Sequence, residues 1–94
     1  MHFCYILYSN KLNRYYTGET PDVDARLLYH NSFELNTNST KAGIPWKIVL
    51  IIPCENRSHA LKVEKHIKRM KSKRFIESLI RYPELVHKII TVNQ

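Results

Sequence analysis

The stretch Arg14-Tyr15-Tyr16-Thr17-Gly18-Glu19-Thr20 decides the reading of this chain, because it sets two adjacent tyrosines against one of only two glycines in 94 residues. Tyr15, Tyr16 and Thr17 favour extended backbone. Upstream, Phe3-Cys4-Tyr5-Ile6-Leu7-Tyr8 is equally rich in aromatic and β-branched residues, and Ser9 to Asn13 between the two runs is turn-like. The two runs predict a β-hairpin. Tyr5 and Tyr16 can then project to one sheet face and meet across the pair, while Tyr15 alternates to the other side for packing. Gly18, placed after the tyrosines, permits close backbone approach or an unusual turn before a helix N-terminus.

Thr20 and Pro21 suit an N-cap and a first helical position, and Val23, Leu27 and Leu28 supply an apolar stripe, so a helix is predicted from Pro21 to Asn31. Ser32 to Gly43, with Asn36-Thr37-Asn38-Ser39-Thr40 at its centre, reads as a loop long enough to be functional. Trp46 to Ile52 is nearly continuous apolar sequence between Pro45 and Pro53, the pattern of a strand buried on both faces inside a sheet. Asn56 can cap a helix over Arg57–Met70. Ser72 can cap another over Lys73–Tyr82, whose stripe is Phe75, Ile76, Leu79 and Ile80 and which Pro83 ends. The tail from Glu84 to Gln94 carries Ile89-Ile90-Thr91-Val92, which fits an edge strand or a docked extension equally. No repeat or linker interrupts the chain, so residues 1–94 are expected to form a single domain.

Fifteen Lys and Arg against eight Asp and Glu give a formal charge of +7, a field that gathers polyanions such as nucleic acid. Cys4 and Cys54 each lie in an apolar run and read as buried, reduced thiols, which points to a cytoplasmic protein. No leader pattern opens the sequence, and the apolar run Ile48–Ile52 is far too short to span a bilayer, so no membrane partner is expected. The five histidines and two cysteines show no CxxC or HxxxH spacing, which sets a zinc site aside.

Helical spacing aligns Glu64 with Ala60, Leu61 and Ile67 on the face that should pack against the sheet. A carboxylate there needs a neighbouring lysine or arginine, a metal ion, or a raised pKa that neutralises it. Eight Lys and Arg lie between Arg57 and Arg74, Lys68 and Lys71 among them. That run reads as a phosphate-facing wall with one acid set into it, suited to a magnesium ion shared with a phosphate oxygen. Arg26 and His30, four residues apart, share one helix face; the first presents a fork that matches phosphate and the second can move protons near neutral pH. Tyr5 and Tyr16 become useful bases only where cations or a metal-bound water favour their deprotonation.

The ordered set Cys4-Tyr5-Ile6-Leu7, Tyr15-Tyr16-Thr17-Gly18, Asp24-Ala25-Arg26, Tyr29-His30-Asn31, Pro45-Trp46, and Arg57-Ser58 with Ala60, Leu61 and Glu64 resembles the GIY-YIG endonucleases. The likeness is to their small single-domain branch, similar to the catalytic module of the bacterial excision-repair endonuclease. It covers Phe3 to Tyr82. It implies an α+β fold, a small three-stranded antiparallel sheet flanked by helices, and a metal-dependent endonuclease acting on DNA, single-stranded, branched or damaged. Carried onto this chain, the catalytic set is Tyr5, Tyr16, Arg26, His30 and Glu64, with Glu64 holding one Mg2+ or Mn2+ and with Gly18, Lys68 and Lys71 at the substrate. Either tyrosine can be the base that activates water. The first motif lacks its glycine and isoleucine, the position after the second motif's glycine is Glu19 where some relatives have lysine, and a late asparagine has no match. The alternative function is a nucleic-acid-binding module of the same fold without catalysis.

Overall fold

The computed structural model describes residues 1–94. Its middle strand is β1 (His2–Ser9), flanked by β2 (Arg14–Thr20) on one edge and β3 (Trp46–Cys54) on the other, all antiparallel. Between β2 and β3 the chain forms α1 (Val23–His30) and a short 3-10 turn over Ser39–Gly43. After β3 it continues as α2 (Arg57–Met70), α3 (Lys73–Arg81) and α4 (Pro83–Val92). The result is an α+β fold in which a hairpin forms the backbone of the sheet. None of the helices is long and apolar enough to cross a membrane.

Alternation along β1 divides the interior in two. Cys4 and Ile6 face a larger core with Ile52, Ala60, Val63, Ile67, Leu79 and Ile89, which α2, α3 and α4 cover. Tyr5 and Leu7 point the other way, into a smaller cluster with Ile44 and Trp46 that Tyr16 and Leu27 flank. Each fully buried Ile, Leu or Val contributes about 1.5–3 kcal/mol, so the larger core carries most of the apolar stabilisation and the smaller one is free to hold polar groups. Tyr15 packs against the larger core, opposite Tyr16, as strand alternation requires. Cys4 and Cys54 are buried free thiols; burial pushes both upward in pKa, so they stay protonated and act as packing groups.

Four elements differ from their sequence-based expectations. β3 lies at the sheet's edge, not in its interior. Its unbroken apolar run reflects a β-bulge: Ile6 pairs with Leu50 but Leu7 with Ile48, so Val49 is extra. Below the bulge Trp46 and Ile48 join the small cluster; above it Ile52 and Cys54, of the same parity, join the large one. Ile51 is left 44% exposed. The first helix begins later than Thr20–Pro21 would place it, because Asp22 is its N-cap and accepts from the Ala25 amide at 3.0 Å. Thr20 instead bonds the backbone of Asp22, accepting from its amide at 3.1 Å. The tail is neither strand nor extension but the helix α4: Pro83 both ends α3 and occupies the first turn of the next helix, where its missing N–H costs nothing. Leu85, Val86, Ile89 and Ile90 then recur at helical spacing against the larger core. Finally, the expected loop 32–43 contains ordered structure, described below.

Candidate active site

Register brings the hairpin residues together. Tyr5 pairs with Gly18 and Leu7 with Tyr16, so both phenols fall on the face covered by α1, with ring centroids 6.4 Å apart. Gly18 has no positive φ, so its role is spatial and not a matter of turn geometry. A Cβ at Gly18 would stand 2.5 Å from the Tyr5 hydroxyl oxygen and 2.6 Å from Cζ. The glycine is the space into which the Tyr5 ring folds.

His30 ends α1 and is fully buried beneath these rings, its own ring 5.0 Å from that of Tyr16. Its Nε2 shares a 2.9 Å hydrogen bond with the Tyr5 hydroxyl, and its Nδ1 a 2.8 Å bond with the Thr40 hydroxyl. Burial, helped by the Arg26 charge, drives the imidazole down to about 4, so it is neutral at physiological pH. A neutral imidazole donates from one nitrogen and accepts at the other, which makes Tyr5, His30 and Thr40 one directional hydrogen-bond chain. Burial likewise pushes the Tyr5 phenol up to about 12, against the pull of the neighbouring Arg26 guanidinium. Arg26 itself is half-buried and stacks over the Tyr29 ring at 4.4 Å.

The polar segment after α1 builds the floor of this pocket. Asn36, buried, donates from Nδ2 to the His30 carbonyl at 2.8 Å and to the Thr40 hydroxyl at 3.0 Å. Asn38 accepts from the Thr40 amide, and the Trp46 indole donates to the Thr40 carbonyl at 2.7 Å. Asn31 exchanges two bonds with the Trp46 backbone, at 2.6 and 2.9 Å. Thr40, Asn36 and Trp46 thus hold the histidine; of the three only Trp46 is among the residues that carry the resemblance, and none is among the expected site residues. The available signal was the run Asn36–Thr40, whose short polar side chains bond nearby backbone by habit.

Glu64 approaches from α2 on the other side of the sheet's β2 edge. Its side chain is 16% exposed, and its charge is among the influences raising the Tyr5 phenol. Lys68, one turn on, donates to Glu64 Oε2 at 2.6 Å and lies 5.6 Å from the centre of the Tyr16 ring. Of the explanations open for that acid, a lysine partner is therefore present. Lys71 is not in the pocket; it caps α2 in a left-handed conformation and lines the neighbouring groove. Glu19, opposite Cys4 in register, alternates away from the phenols and meets His2 at 3.1 Å and Arg57 at 3.8 Å. Nowhere do three or more His, Cys, Asp or Glu side chains gather as a metal cluster. A single carboxylate outside any such cluster would suit a hard ion that keeps most of its water, not an ion caged by protein.

The rings of Tyr5, Tyr16 and His30 meet on one face of a hairpin-based sheet with Arg26 beside Tyr5, while Glu64 pairs with Lys68, whose ammonium lies over Tyr16. Over residues 1–76 the chain matches the GIY-YIG catalytic domain, and it belongs to that family of nucleases. It is similar to a UPF0213 protein of Listeria welshimeri, 38% identical over 72 residues that cover 77% of this chain and 78% of that one. A UPF0213 protein of Syntrophus aciditrophicus is 33% identical over 69 residues, 73% of this chain and 79% of the relative. No solved structure matches it significantly.

Proposed function

We propose that the protein is an endonuclease that hydrolyses phosphodiester bonds in DNA with the help of one divalent ion. The observation that supports this reading is the ring cluster, Tyr5 bonded to His30 at 2.9 Å and Tyr16 packed against both, with Arg26 beside Tyr5. Arg26 faces the phosphate, and its fork stabilises the charge that builds on nonbridging oxygens. Tyr16 is half-buried where Tyr5 is only 2% exposed, which favours Tyr16 as the phenol that orients water and takes its proton. Tyr5, fixed by His30, presents its hydroxyl in one orientation. Glu64 is the residue that would hold a magnesium or manganese ion, which when bound supplies Lewis-acid polarisation of the phosphate.

The second reading, a binding module that does not cut, has its own observation in the 2.6 Å Lys68–Glu64 contact, which gives the acid a partner without any ion. Nicking assays with magnesium or manganese on single-stranded, duplex and branched DNA separate the two. The nuclease reading expects cleavage by the wild type and none by Glu64→Ala, with salt-dependent DNA binding retained. Full activity in Glu64→Ala, or no cleavage by the wild type with either ion, favours the binding module.

A further inference from the structure

The eight cations between Arg57 and Arg74 form no single wall. Arg57, Lys62 and Lys65 line an open hollow on the outer side of α2, where Arg57 also approaches Glu19. Lys68, Lys71 and Lys73 turn the other way. There they meet Arg14 from the start of β2 across a groove of about 380 Å³ between the hairpin and the α2–α3 junction. Its lining contains four cations and no carboxylate, and Tyr16 forms part of its wall, so the groove borders the tyrosine cluster.

The groove's rims are held in place. Asn13, at φ 52° in the hairpin turn, accepts from Lys73 Nζ at 3.1 Å and from the Tyr8 hydroxyl, which ties the turn to the start of α3. Lys71, at φ 47°, reverses the chain between α2 and α3, and Ser72 caps α3 by accepting from the Phe75 amide at 3.0 Å. Cations carried on two facing walls whose backbone is anchored suit a line of phosphates.

We propose that this groove binds a run of nucleic-acid backbone phosphates adjoining the scissile one, with Arg14, Lys71 and Lys73 as its contacts and Lys68 at the junction with the pocket. The inference rests on the nucleic-acid reading of the tyrosine site but not on catalysis. The outer hollow of α2 takes no part.

The test is equilibrium binding of fluorescently labelled DNA and RNA oligonucleotides of one sequence, without divalent ions, over a range of salt concentrations. Arg14→Gln, Lys71→Gln and Lys73→Gln should each weaken binding and each lower the slope of log affinity against log salt by about one. Lys62→Gln and Lys65→Gln should leave the slope unchanged. Retained thermal unfolding in each variant rules out misfolding as the cause. Binding to the DNA or the RNA, or to both, identifies the backbone the groove accepts. The proposal is overturned if the outer-face variants lose as much slope as the groove variants, or if neither oligonucleotide binds. Normal binding by the groove variants beside cleavage lost in Glu64→Ala would remove the groove and leave the nuclease. Lost slope in the groove variants beside a wild type that cuts nothing would do the reverse.

Discussion

At position 18 the side chain that is missing matters more than any backbone freedom, since the Tyr5 ring occupies the place a Cβ would take. Tyr5 is buried and tethered to His30, so it cannot swing aside without breaking that bond. Gly18→Ala should therefore cost about 1–3 kcal/mol, the usual range for overpacking. Urea unfolding measures the loss, and cleavage should fall further than stability alone explains because the phenol is displaced. His30 gives a pH signature. Its pKa falls from 6.5 unfolded to about 4 folded, chiefly by burial. Between those values the unfolded chain holds a proton that the folded chain does not, so the contribution of the neutral imidazole is complete above 6.5 and lost as pH falls toward 4. The drop is worth on the order of 3 kcal/mol. Unfolding free energies of wild type and His30→Gln, measured from pH 7 to pH 4, should converge by roughly that amount; parallel curves would contradict the assignment. Helical spacing places Arg26 and His30 on one face, but it does not reveal that one is half-buried and the other fully so. That depends on what packs above them.

Elements were legible where a local signal fixes them and illegible where a distant partner does. The hairpin and the caps Asn56 and Ser72 follow from strand propensity and short polar side chains, and each cap accepts the amide three residues on. The edge position of β3 depends on pairing with β1 and on the bulge at Val49. The apolar run records burial on two faces but not that the faces are taken in turn. α4 was hidden for another reason: Ile89-Ile90-Thr91-Val92 is β-prone by composition, and docking on the large core overrides that preference. Its helical form makes a sharp distinction between neighbours. Ile89, 3% exposed, should cost about 2–4 kcal/mol on substitution with alanine. Val92, 59% exposed, should change stability by less than about 0.5 kcal/mol. A strand alternating at period two would put Val92 on one face with Ile90, so equal losses at 90 and 92 would argue against the docked helix. The segment 32–43 shows the same limit, because its asparagines and threonine cap one another around His30, a partner outside the segment.

Within a molecule of net charge +7, four cations line one groove, and Lys68 stands where that groove meets the acid. Its ammonium is shared by the Glu64 carboxylate at 2.6 Å and the face of Tyr16 at 5.6 Å. The lysine is half-exposed, and an i,i+4 pair on a helix surface is worth about 0.3–0.5 kcal/mol, so an ion pair at this edge holds Lys68 only modestly. On the proposed reading, an incoming phosphate would compete with Glu64 for it. On the proposed function, a divalent ion at Glu64 would compete with Lys68 for the same carboxylate, and by linkage each would weaken the other. Lys68→Met separates these effects while keeping an unbranched stem over Tyr16. The variant should reach half-maximal cleavage at a lower magnesium concentration than the wild type, because Glu64 no longer has a resident cation. It should also bind oligonucleotide more weakly in the absence of any divalent ion, with the salt slope reduced by about one. The two changes have opposite signs, so simple damage to the fold cannot produce both. A higher magnesium requirement in the variant would mean that Lys68 supports the metal-binding geometry of Glu64 instead of opposing it.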